Sequence, residues 1–216
     1  TTTIYETTNQ IKRLSPVGVN VYPAGFYGER VRQGWQWLMP RFIDLTVNQY
    51  GVISALDSSS SKVYQYDQDG NLLLVFGNKG EGKGFVSNAA SIDVDSNGLL
   101  YILDKDRARI QIFRPTEFAN LVHLATQLYY EGRYEEAAIP WQQVIELNSN
   151  YTMGYVGMGK VYHRQENYDL AMKYYELGND KAGYSKSFSE KRLILLRENF
   201  GWLIIGVIVL FILVSL

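Results

Sequence analysis

Two stretches in the first half of the chain alternate apolar and polar residues at every second position, as half-buried strands do. In FIDLTVNQYGVISALDSSSSKVYQY, Phe42 to Tyr66, Leu45 and Val47 fall on one face and Asp44, Thr46 and Asn48 on the other. AASIDVDSNGLLYILDKDRARIQIF, Ala89 to Phe113, repeats this pattern 47 residues on without a gap: Gly51 falls on Gly98, Asp57 on Asp104, Lys62 on Arg109 and Tyr66 on Phe113. The breaks NQYG, DQDG and DSNG end in Gly51, Gly70 and Gly98. Asp and Asn bond locally to backbone there, and Gly accepts the positive φ of a tight turn. The spacing predicts four strands near 42–48, 51–57, 62–67 and 71–77, followed by a Gly-rich loop over 77–84.

From Phe118 the period becomes helical. Two copies align 34 residues apart, Tyr134-Glu135-Glu136-Ala137 on Tyr168-Asp169-Leu170-Ala171, with Trp141 on Tyr175. Small residues recur at Ala125 and Gly159 and at Ala137 and Ala171 with the same 34-residue offset. Pro140 lies in the second helix of the first copy and is tolerated only near a helix start. Ser187 to Asn199 sets Leu193, Leu195 and Leu196 among charges, and Gly201 to Leu216 is sixteen residues without a charge.

Composition narrows the chemistry. A net charge of -1 over 216 residues argues against nucleic acid as the main partner. The absence of Cys removes disulfides, thiolate metal sites and Cys nucleophiles. The chain opens at Thr1 and ends within an apolar run, which reads as a piece of a longer protein.

The second strand copy, GEGKGF followed by IDVDSNGLLYILDKDRARIQIF, resembles the NHL repeat of β-propellers through Gly98, Asp104 and Arg109; the first copy offers Gly51, Asp57 and Lys62. The 34-residue units resemble tetratricopeptide (TPR) repeats, although the usual terminal proline is Ser149 in one copy and Gly183 in the other. The order of the parts, with phrases such as RPTEFANLVHLA and ELGNDKAGYSKSF, is similar to bacterial membrane proteins that join an NHL propeller and TPR repeats to a Yip-type multi-span domain.

That resemblance implies a multidomain β plus α chain. Residues 1–41 would be a partial upstream blade or linker, 42–116 two NHL-like blades, 117–185 two TPR hairpins, 186–199 a capping helix and 200–216 a truncated transmembrane helix. A strand from further upstream would complete the last blade. It implies a cell-membrane location with propeller and TPR outside the cytoplasm, whereas the local lysines and arginines of 181–200 lean cytoplasmic.

Candidate sites follow. The concave face of a TPR pair falls on Tyr129, Tyr130, Lys160, His163 and Arg164, two aromatics beside cations, suited to an acidic or extended peptide. The alternative is that these tyrosines pack internally. His163 reads as a solvated helix residue and His123 as a packed or partly exposed one. Asp44, Asp93 and Asp95 could face a metal but read better as turn residues, while Asp57 with Lys62 and Asp104 with Arg109 read as structural pairs. Ser58 to Ser61 is a loop, and GNKGEGKG is no P-loop. The expectation is therefore a membrane-anchored interaction scaffold with a protein or peptide partner, lipid contact through 200–216, and no catalytic residue, metal or cofactor. The alternatives are a propeller enzyme of the lactonase or lyase type acting on absent blades, and a carbohydrate-binding accessory of a transporter.

Overall fold

The computed structural model describes residues 10–215 apart from Ala24 and Gly34. Residues 1–9 of the segment read as an upstream blade or linker, and Leu216 at the end of the apolar run, lie outside the described residues. The chain forms two compact units, Thr1–Gln127 and Leu128–Leu216.

In the first unit, β1 (Val31–Gln33) and β2 (Gln36–Leu38) make a short hairpin. Then β3 (Phe42–Val47), β4 (Ile53–Asp57), β5 (Val63–Tyr66) and β6 (Leu72–Phe76) form an antiparallel meander. A three-stranded meander follows, β7 (Ala89–Val94), β8 (Leu100–Asp104) and β9 (Arg109–Phe113). The repeat is structural as well as sequential. The register slips between Phe42 and Asp44 in the first sheet and between Ala89 and Ser91 in the second, the same 47-residue offset.

The turns repeat too. Asn48 Oδ1 accepts the backbone N–H groups of Tyr50 and Val52, both at 3.0 Å. Asp67 caps Asp69 and Asn71, and Asp95 caps Asn97 and Leu99, in the same way. Each turn closes on a glycine at φ +76, +80 or +78, Gly51, Gly70 and Gly98, where an L side chain would be strained.

Strands β4 and β5 are buried on both faces. One face, with Ile53, Ala55, Tyr64 and Tyr66, packs on Ile11, Tyr22 and Tyr27 of the preceding segment. There Tyr27 meets Tyr66 edge-on, and the Tyr66 hydroxyl accepts from the Gly28 N–H at 2.7 Å. The opposite face, with Leu56 and Val63, packs on Ile92, Leu100 and Ile102 of the second sheet. Asp44 ties the sheets together by accepting from the Ser91 hydroxyl at 2.6 Å and the Ile92 N–H at 2.9 Å.

Five helices follow: α1 (Glu117–Tyr130), α2 (Tyr134–Leu147), α3 (Thr152–Arg164), α4 (Tyr168–Leu177) and α5 (Lys181–Ser215). Thr116 starts α1 by accepting the Ala119 N–H, and Asn167 caps α4 by accepting that of Leu170. In the second unit Ala137 and Ala171 are fully buried. A Cβ on Gly157 would overlap the Trp141 indole, and Gly159 lies against the Tyr175 ring.

Three expectations are corrected. First, no propeller forms among the described residues: the two meanders pack face to face through one core, and the second ends after three strands. The physical reason lies at its end, where Pro115 and the Thr116 cap turn the chain into α1 before a fourth strand can pair. Second, the helices do not form a TPR pair. The boundary between the compact units falls within α1, so the copies are not two equivalent hairpins in one stack, and α5 continues unbroken through 186–199 rather than capping an array. Pro140, the seventh residue of α2, also has no N–H to donate to the carbonyl of Glu136. Third, among the described residues no helix is long and apolar enough to cross a membrane. The sixteen described residues of that segment, 200–215, rise about 24 Å, against a hydrocarbon layer of about 30 Å. The transmembrane helix expected over 200–216, and the cell-membrane location that rested on it, are therefore not supported. The chain is a mixed β and α structure with antiparallel sheets.

Candidate functional site

The helical residues singled out from the sequence do meet. Tyr129 stands at the centre: its ring packs edge-on against Tyr130 at 5.3 Å, and the Lys160 ammonium lies 5.7 Å above it. Arg164, one turn beyond Lys160 on α3, donates from Nε to the Tyr129 hydroxyl at 3.4 Å. The i, i+4 spacing on α3 brings both cations to Tyr129, Lys160 over the ring face and Arg164 at the hydroxyl.

His163 is half-buried rather than solvated. Ser187 donates its proton to the Gly183 carbonyl at 3.1 Å, so its oxygen accepts from His163 Nδ1 at 2.9 Å. Burial, then the charges of Lys186 and Arg164, hold the imidazole below its usual range, and Glu190 opposes them. The cationic neighbours therefore outweigh the acidic one at this imidazole.

The residues read as structural act locally. Asp104 is fully buried and accepts the backbone N–H groups of Ser87 and Asn88 and a bond from Arg107; Arg109 stands further off at 3.8 Å. Burial raises the Asp104 carboxyl, but these bonds outweigh it and hold the group below its ordinary value. Asp57 does the same work in the first sheet, accepting from Arg41, Ser59 and Ser60. Its expected partner Lys62 instead pairs with Glu29 at 2.9 Å. Asp95 is a turn cap, Asp93 accepts from Thr46, and among the described residues no cluster could hold a metal ion.

A polar chain in the first unit was not foreseen from sequence. Because Asn48 Oδ1 is engaged by the turn, its amide Nδ2 faces His123 Nδ1 as donor, at 3.5 Å. The other ring nitrogen, Nε2, then carries the proton and donates to Gln65 Oε1 at 2.9 Å. Gln65 Nε2 in turn donates to Ser54 Oγ at 2.9 Å. All three partners beyond the turn are buried, with Ser54 and Gln65 at 2% exposure and His123 at 4%. Burial pushes the imidazole down to about 4, so it is neutral at pH 7.

The chain of bonds forms one wall of a cavity of about 260 Å³. Leu74, Phe76, Val94, Leu100 and Phe113 supply apolar walls, and Ala119 lines it from α1. Every lining residue belongs to the first unit. A signal for this site existed in the repeat: Ser54 and Gln65 stand where the second copy has Tyr101 and Ile112, and Asn48 where it has Asp95. His123 lies outside the repeat and carries no such signal.

No protein-family model and no curated protein matches this chain.

Proposed function

We propose that the chain is an interaction module whose helical unit engages an acidic, extended peptide. The observation that carries this reading is the convergence of Lys160 and Arg164 on the Tyr129 ring. Lys186 adds a third cation close enough to influence His163. A carboxylate would gain charge-assisted bonds from guanidinium and ammonium, and an adjacent aromatic side chain would find the Tyr129–Tyr130 pair.

The test is fluorescence polarisation with a labelled Glu/Asp-rich peptide containing one Tyr, beside a Gly/Ser-rich peptide of equal length. The acidic peptide is expected to bind the wild-type chain with an affinity that falls as salt rises. Lys160→Glu with Arg164→Glu should reduce that affinity at least tenfold, with circular dichroism unchanged. Equal binding of both peptides, or undiminished binding to the double variant, would sink the reading.

A further inference from the structure

The cavity in the first unit combines two properties that a filled core lacks: space, and polar groups with hydrogen-bonding capacity left over. The turn at Asn48 dictates every proton position along the chain of bonds, so its remaining capacity can be counted. Each amide nitrogen has two N–H groups. Among the described residues, Gln65 spends one on Ser54 and Asn48 directs one at His123. The Ser54 hydroxyl accepts from Gln65 and still has its own proton to give. The surplus on this wall therefore includes three donors, an N–H on each amide and the Ser54 O–H, beside a second lone pair on Gln65 Oε1 and on Ser54 Oγ. Neither an ionised carboxylate nor an ammonium group sits among the buried lining residues; the one charged side chain, Arg114, is exposed.

We propose that this cavity binds a small, neutral, mainly apolar molecule whose carbonyl-type acceptor oxygen meets the donors of Gln65 and Ser54. The volume sets the size. An apolar cavity of about 150 Å³ holds one benzene ring, so 260 Å³ suits a ring with a short substituent or a chain of similar bulk. Charge sets the class. A cation would meet no carboxylate in the lining, and a buried anion would be desolvated with Arg114 only at the exposed edge. The apolar body packs on Leu74, Phe76, Leu100 and Phe113, and the acceptor satisfies groups that otherwise keep donors idle in a buried site. This inference concerns the first unit alone and does not rest on the peptide reading of the helical unit.

The experiment compares three ligands on the full wild-type chain by calorimetric titration: acetophenone, ethylbenzene lacking the acceptor, and benzoate carrying charge. Imidazole nitrogen shifts of His123 are followed by NMR. Acetophenone is expected to bind roughly three- to tenfold more tightly than ethylbenzene, the worth of one neutral hydrogen bond, to exceed benzoate, and to move the His123 resonances. Ala119→Leu, which fills the cavity from α1 and leaves the polar chain in place, should abolish the binding. Equal affinity for ethylbenzene would overturn the donor-wall argument, and preference for benzoate would overturn the neutral class. Absence of binding at millimolar concentration, or binding that leaves His123 unmoved, would overturn the site itself.

Discussion

At Asn48 a single side chain does two jobs, of which its counterparts at Asp67 and Asp95 share only the first. Its oxygen caps a turn, as theirs do, while its nitrogen donates to His123. The other two turns demonstrate that Asp performs the capping equally well. Asn48→Asp therefore changes one thing, replacing the donor at His123 Nδ1 with an anionic acceptor. The imidazole should then take up a proton on Nδ1, and its pKa should rise from about 4 toward or beyond its ordinary value. Titration of the His123 ring by NMR checks this. An unmoved titration would show that Asn48 does not set the tautomer.

The helices of the second unit depend on glycines where ring faces meet backbone. A Cβ on Gly159 would come 2.7 Å from Tyr175 Cδ1, well inside contact distance. Alanine is favoured over glycine in a helix by about 1 kcal/mol, and overpacking costs typically 1–3 kcal/mol. Gly159→Ala should therefore lose on balance about 1 kcal/mol, seen as a lower urea midpoint. Gly201 makes the control: a Cβ there meets nothing within 4 Å, so Gly201→Ala should hold or raise the midpoint. If both substitutions acted alike, close packing at Tyr175 would not be the cause. The small-residue positions at Ala137, Gly159 and Ala171 were legible as a 34-residue pattern because close helix approach leaves a mark in composition. How the helices assemble, without forming repeat hairpins, was not, because that depends on where α1 divides between units and on α5 running straight on.

For the molecule as a whole, His123 couples folding to acid. Its folded pKa of about 4 lies below the ordinary value near 6.5, so the unfolded chain binds more protons between those limits. Stability from this group is fully present above about pH 6.5, falls as pH drops, and levels off below about pH 4, a loss of up to roughly 3 kcal/mol. Thermal melts from pH 7 to pH 4 should show this decline, and His123→Gln should flatten it. A wild-type melt that stayed level across this range would contradict the buried, neutral imidazole.

The amino-acid sequence alone settled what is local. Alternation marked the strands, Asx and Gly marked the three turns, and the 47-residue offset between the copies recurs in the structure as matching register slips at Phe42/Asp44 and Ala89/Ser91. Those features act over a few residues, through backbone sterics and nearby hydrogen bonds, so they are written in short words of sequence. How the sheets and helices assemble was decided by tertiary packing: two meanders share one core instead of opening into a ring, and among the described residues the uncharged run 200–215 extends a helix without reaching membrane length. The cavity and its polar chain were decided there too. Asn48, Ser54, Gln65 and His123 are up to 75 residues apart, and only the packed fold brings them into bonding distance.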